Sequence, residues 1–391
     1  MDAQSPRCNN TKEGGAGFAV IIVPVLLSLS TVVVVFFILW SLYCRRPGRE
    51  SLVKIVYNAG HGSMSIDAVS GTRLRVQGPL DTWQMPADCT LEALESMQMG
   101  HYGNIYKSQL RRGCVTTAVL VKTLQGSNSQ ATAEEFAAWA QFHAVVCRHE
   151  NLVRMLFCQT QKLPMYLVLE ASSPGNLLHF LWTLRQNDVE KPSQLEHFSE
   201  RSVYLVAKQV SAGLDYLFSE HGLYHGDVAA RNMLIGSGLS VKVSGLGMAF
   251  EARQMGKVAK PWVSKVPVKW QAPERIMQLP LTDRSDVWSF GILLYELITL
   301  GSPPYPDMEP MEVFPQLQKS HRMRRPESCG RPLYDLMKYC WMWNFKDRPY
   351  FSSIIKLLDS YVYLADTKIL CAEDKMDITE YKKAAGFLSS F

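Results

Sequence analysis

The sequence predicts an α+β fold of two lobes, a β-rich small lobe and then an α-rich large lobe, preceded by one transmembrane helix. Three observations predict it. Residues 17–43 carry no charged side chain. Short runs of alternating apolar residues fill residues 92–171 around a single helical stretch, and from residue 172 to about 365 the spacing becomes that of amphipathic helices. A chain of 391 residues has length for one large domain with appendages.

Residues 1–16 are too few to bury a core, so no ligand-binding extracellular domain, and no extracellular ligand, is expected there. Gly17–Tyr43 exceeds the roughly 20 apolar residues that cross a bilayer, and Trp40 and Tyr43 stand where aromatic side chains anchor the inner boundary. Arg45, Arg46, Arg49 and Lys54 follow this span, whereas only Arg7 and Lys12 precede it. The C-terminal bulk is therefore expected in the cytoplasm, held at a plasma or endosomal membrane by lipid contact with the span. Asn9 opens a glycosylation sequon, and Cys44 lies where a palmitoyl group could be attached.

Residues 44–91 are rich in glycine and proline without a sustained period and read as a juxtamembrane linker. Residues 92–365 form the folded domain. Within it, strand patterns around Met97–Ser108, over Val115–Thr123 and over Met165–Glu170 accompany a helical pattern over Ala131–Val146. Longer helical patterns cover Glu200–Glu220, Ser285–Leu300, Met311–Lys319 and Leu333–Met342. Residues 366–391 read as a short polar tail whose Tyr381, with Tyr361 and Tyr363 just before it, is a candidate for phosphorylation.

Composition excludes two classes. The net charge of +5 is spread without a basic block, so nucleic acid is not an expected partner. The nine cysteines show no CxxC pair and no nearby histidine at ligand spacing, which argues against a zinc site or a disulfide framework and for buried thiols in a reducing compartment.

The residues that could carry chemistry come in a fixed order. Met97–Tyr106 reads MQMGHYGNIY, a glycine-bearing hairpin at Gly100, Gly103 and Ile105, and Lys122 ends the apolar run Val119–Lys122. An ammonium among apolar strand residues is costly unless a partner meets it. His225–Asn232 reads HGDVAARN, followed by Val268–Glu274 (VKWQAPE), Asp286–Gly291 (DVWSFG), Cys340-Trp341 and Arg348-Pro349. In order and spacing these motifs resemble the tyrosine-protein kinase family over about residues 92–365. The resemblance implies a bilobal protein-kinase fold that binds ATP. It assigns Asp227 and Arg231 to catalysis, Asp227 accepting the proton of the substrate hydroxyl, and Asn232 to a Mg²⁺ ion. It assigns Gly100, Gly103, Ile105 and Lys122 to the phosphate side of the nucleotide, with Glu170 and Ala171 offering backbone groups to the adenine. Glu274 is expected to pair with Arg348, and Asp286 to brace the catalytic loop.

Four positions depart from that pattern. Gln98 stands at the first glycine of the hairpin, Ala140 near the helical glutamate that should meet Lys122, and Gly226 at the arginine that receives a phosphorylated loop. Gly245-Leu246-Gly247 replaces the D-F-G triplet, so the metal-chelating aspartate is missing and Mg²⁺ is expected to be held poorly, with Ser244 and Glu251 the nearby oxygen-bearing side chains. Losing about 4 kcal/mol of metal stabilisation would slow phosphoryl transfer about a thousandfold. The expected function is thus a membrane-tethered, kinase-like scaffold that signals through protein partners. The alternative is an active tyrosine-protein kinase with an altered metal arrangement, since Lys122, Asp227 and Asn232 remain.

Overall fold

The computed structural model describes residues 80–100, 102–124, 130–185, 197–255, 266–372 and 378–385. The expected span 17–43, with Asn9 and Cys44, lies outside them, and among the described residues no helix is long and apolar enough to cross a membrane.

Six elements build the small lobe: strands Cys89–Met99 (β1), Asn104–Arg112 (β2) and Val115–Thr123 (β3), helix Gln130–Val146 (α1), and strands Met155–Gln159 (β4) and Tyr166–Glu170 (β5). The strands form one antiparallel sheet in the order β1-β2-β3-β5-β4. Side chains alternate across a strand, and β3 buries Val119 and Val121 with Leu110, Tyr166 and Val168 on one face. Lys122 therefore falls on the other face, in register with Leu167, whose side chain belongs to the main core. That face turns toward α1. β4 has no counterpart in the sequence reading, because five residues, of which Met155 and Cys158 are buried, give too short a pattern to stand out. The packed lobe also starts early: Leu80 is buried and Met85 N–H donates to the Cys158 carbonyl (2.9 Å), both within the stretch read as linker.

The large lobe opens with the two-residue strand Gly175–Asn176 (β6), helices Leu177–Arg185 (α2) and Glu200–His221 (α3), and strands Met233–Ile235 (β7) and Val241–Val243 (β8), which join β6 in a second antiparallel sheet of order β6-β7-β8. Helices Gly247–Met255 (α4), Pro273–Ile276 (α5), Asp283–Ile298 (α6), Pro310–Gln318 (α7), Arg331–Cys340 (α8), Phe351–Tyr361 (α9) and Ile378–Ala384 (α10) follow. α3 is bounded as its sequence dictates, by a Ser199–Ser202 capping box and by Gly222 at φ 62°. α6, also capped by a box at Thr282, buries nearly every residue rather than one face, because the rest of the lobe surrounds it. α9 carries Phe351, Ile354 and Leu358 at helical spacing on its buried face, a pattern the sequence reading passed over.

The tail is corrected most. Leu370 N–H donates to the Phe198 carbonyl (2.9 Å), and Leu370, Tyr381 and Ala385 belong to the core. Tyr381 is wholly buried, so in this state it is closed to phosphorylation, whereas Tyr363 is 80% exposed.

Candidate functional site

The loop between α3 and β7 is held from beneath. Asp286, at the start of α6, accepts N–H bonds from His225 (2.6 Å) and Gly226 (2.8 Å), although burial pushes its carboxyl up to about 6. His225 Nδ1 accepts from Asp227 N–H (3.2 Å) and its Nε2 faces the Ser244 carbonyl (2.8 Å), which fixes the Nε2–H tautomer. Gly226 takes φ 79°, and a Cβ there would come within 3.3 Å of Leu281 and Met248, so the arginine this position lacks would be strained.

Asp227, Arg231 and Asn232 converge. Arg231 Nη2 donates to Asp227 Oδ1, and Asn232 Nδ2 donates to Asp227 Oδ2 (2.7 Å) and to the Asp227 carbonyl (2.8 Å). Both carboxylate oxygens are thereby engaged. Gly245 sits against the same asparagine with φ 75°, and a Cβ on it would lie 2.7 Å from Asn232 Cγ and Oδ1. Ser244 Oγ donates to the Asn232 carbonyl (2.7 Å). Among the described residues no group of three His, Cys, Asp or Glu side chains could hold a metal ion. One carboxamide oxygen beside an engaged carboxylate does not fit Mg²⁺, which is bound through carboxylates, water and substrate phosphates in octahedral geometry.

Across the cleft, aromatic rings surround Lys122. Trp139 of α1 lies beneath its ammonium (5.8 Å to the ring centroid), while Ala140, its neighbour, is fully buried. The Trp139 ring stacks on Phe142 (5.5 Å) and meets Phe250 of α4 edge to face (4.8 Å). Tyr102 closes the group from the glycine hairpin, packing on Phe136 (5.5 Å) and donating to Glu135 (3.1 Å). Among the described residues Lys122 has no carboxylate partner, and burial holds its pKa below the ordinary lysine value. A cation–π contact offsets part of that cost.

His143 shares this interior. Burial first, and then Lys122, push its imidazole down to about 3; Cys147 Sγ lies 3.3 Å from its Nδ1. The unfolded chain then takes the proton first as pH falls below about 6.5, so stability present above that pH is lost progressively toward about 3. Between pH 7 and 5 this group should cost about 2 kcal/mol, and in His143→Gln that part of the acid loss should vanish. Unfolding midpoints of both chains at the two pH values check this; equal shifts would refute it.

The cleft holds a cavity of about 330 Å³ lined by Gly100, Gly103, Ile105, Lys122, Asp227 and Glu251, with Tyr102, Trp139, Met248 and Phe250 among its other walls. Gly100 N–H is spent within its own hairpin, on the Gly103 carbonyl (2.7 Å). Glu170 and Ala171 do not line the cavity. Glu170 ends β5, where its carboxylate pairs with Lys242 (2.9 Å), and Ala171 follows in the crossing to the large lobe. Trp139, Phe250 and Glu296 escaped sequence reasoning, and Trp270 is legible only as a member of the motif Val268–Glu274. For the first, Phe136, Trp139 and Phe142 at three-residue steps on α1 were the available signal.

A loop braced by a buried aspartate below a five-stranded sheet, with a strand lysine facing it, is the architecture of protein kinases, and the chain carries a protein-kinase domain. The family model for protein tyrosine and serine/threonine kinases matches residues 91–358, and the chain belongs to that family. It is 35% identical to tyrosine-protein kinase STYK1 of Mus musculus over 391 residues, covering 94% of this chain and 91% of the relative. Against STYK1 of Homo sapiens it is 35% identical, covering 94% of this chain and 92% of the relative. The transforming protein Abl of Abelson murine leukemia virus is 34% identical over 70% of this chain and 34% of its own length. ATP and Mg²⁺ are the cofactors that such a domain uses in general.

Proposed function

We propose that the chain is a membrane-tethered, tyrosine-kinase-like signalling protein whose kinase domain is catalytically impaired and works as a scaffold for signalling proteins at a plasma or endosomal membrane. One observation carries the reading. The space that a metal-binding aspartate at position 245 would need is taken by Asn232, which is bonded to Asp227 instead. Tethering rests on the uncharged run Gly17–Tyr43, and resistance of the full chain to alkaline extraction from membranes tests it. The alternative, phosphoryl transfer with an altered metal arrangement, is favoured by the convergence of Asp227, Arg231 and Asn232.

The test follows γ-phosphate transfer by the detergent-solubilised full chain to itself and to a generic tyrosine polymer, beside Asp227→Asn, with nucleotide titrated with and without Mg²⁺. No transfer above the control is expected. Transfer that disappears in Asp227→Asn would establish the alternative. Gly245→Asp, which alone would restore the missing carboxylate, is expected to lose about 1–3 kcal/mol of stability, from the left-handed backbone and the contact with Asn232, without gaining Mg²⁺-dependent nucleotide binding. A melting scan and the same titration read this. A gain in such binding would overturn the steric argument.

A further inference from the structure

The tail helix α10 rests on the large lobe chiefly through one residue. Tyr381 is fully buried, with its ring edge-on to Trp182 of α2 (5.3 Å) and to Trp270 (5.3 Å), which ends the segment Val268–Trp270. Its hydroxyl donates to Glu296 Oε1 of α6 (2.5 Å), and the Arg231 guanidinium lies beside it. The other oxygen of Glu296 accepts from Ala230 N–H in the catalytic loop (2.9 Å). Arg231 in turn holds Asp227 and stacks over Trp270 (4.7 Å), so one side chain separates the tail hydroxyl from the carboxylate in the cleft.

One feature sets this pocket apart from ordinary core packing. Arg231 is enclosed and its guanidinium meets the tyrosine hydroxyl, yet its Nη1 makes no bond of ordinary hydrogen-bond geometry among the described residues. At the surface Lys383 pairs with Glu309 (3.1 Å). Beyond that the attachment is modest: among the seven residues of α10 only Tyr381 is fully buried, Ile378 and Ala384 are partly buried against the core, and Ala385 lies just beyond it. A helix this short does not hold its shape alone, and binding through one buried aromatic anchor is undone by losing that anchor.

We infer that Trp182, Trp270, Arg231 and Glu296 form a tyrosine-binding groove adjoining Asp227, and that α10 is its occupant in cis, a strap that closes the groove by inserting Tyr381. Release of the strap opens a groove suited to a tyrosine-bearing peptide segment and exposes Tyr381 at the same moment. Binding to the groove does not depend on whether phosphate is transferred, so this inference stands or falls apart from the scaffold reading.

The probe is a fluorescein-labelled peptide copying residues 374–388, followed by anisotropy with full-length chain in detergent and with a chain stopped after Asp377. The stopped chain is expected to bind the peptide saturably, the intact chain at least about tenfold more weakly, and a peptide with Tyr381→Ala at least about tenfold more weakly still to the stopped chain. Equal binding by both chains, or binding indifferent to the tyrosine, would overturn the inference. Should the stopped chain fail to fold, full-length Tyr381→Ala gives the answer by hydrogen exchange. Protection is expected to fall about tenfold or more over Ile378–Ala384 and over Val268–Trp270 while α3 keeps its own. Unchanged protection in α10 would refute the strap.

Discussion

Replacing Trp139 by alanine is expected to destabilise the chain by about 3–5 kcal/mol, because a large buried ring leaves both its transfer energy and a cavity behind. The ring is a joint between segments distant in sequence: Phe142 in its own helix, Phe250 in α4, Tyr102 in the glycine hairpin and the ammonium of Lys122 all meet it. Its loss should therefore loosen α4 beyond what a uniform drop in stability would give. Hydrogen exchange over Gly247–Met255, compared at matched denaturant distance from the midpoint, distinguishes the two. If α4 in Trp139→Ala keeps the protection it has in the parent, the ring does not hold α4 to α1. The same cluster supports the proposed catalytic impairment, since an aromatic wall stands where a carboxylate would otherwise fix Lys122 for phosphate binding.

An effect of similar size is expected at the foot of the large lobe. Arg348 is wholly buried and spends all five of its N–H donors: two on Glu274 (2.7 and 2.8 Å) and three on the carbonyls of Arg284 (2.8 Å), Met342 (2.8 Å) and Trp343 (3.2 Å). Glu274 takes a further bond from Ser285 Oγ (2.8 Å). Arg348→Ala leaves that buried carboxylate uncompensated, which should cost about 3–5 kcal/mol and lower the melting temperature by roughly 6–20 °C. Lysine cannot substitute, because one ammonium cannot reach a fork of five acceptor positions. Lys338→Ala serves as the contrast. Its partner Asp335 is as close (2.7 Å), but both side chains are about half exposed and screened by water, so the melting temperature should hardly move. Comparable melting shifts in the two variants would mean that burial does not set the worth of the Arg348 pair.

Much of this architecture could be read in advance because it is encoded locally. The apolar run Val119–Lys122 placed the lysine on a strand, and the helical pattern over Glu200–Glu220 meets the ends of α3 to within a residue. The order of His225–Asn232, Val268–Glu274 and Arg348 carried the catalytic loop and the buried ion pair, since those residues are near one another or stand at fixed points of one fold. Gly245 was legible as a departure. Its consequence was not, because nothing adjacent in sequence indicates that Asn232, thirteen residues earlier, would occupy the vacated space.

What the sequence by itself determined is therefore the list of groups present and missing: a kinase-type loop with Asp227, Arg231 and Asn232, a strand lysine, and no aspartate at position 245. The tertiary structure alone decided what meets those groups. Trp139 rather than Ala140 faces Lys122, and Tyr381, expected on a polar tail, is buried between Trp182 and Trp270 over Glu296. The reason is one of range. Periodicity and capping act within a few residues, whereas the partner of a buried side chain comes from any segment the fold brings to it, and its identity is fixed by the requirement that buried apolar surface and polar groups both find company.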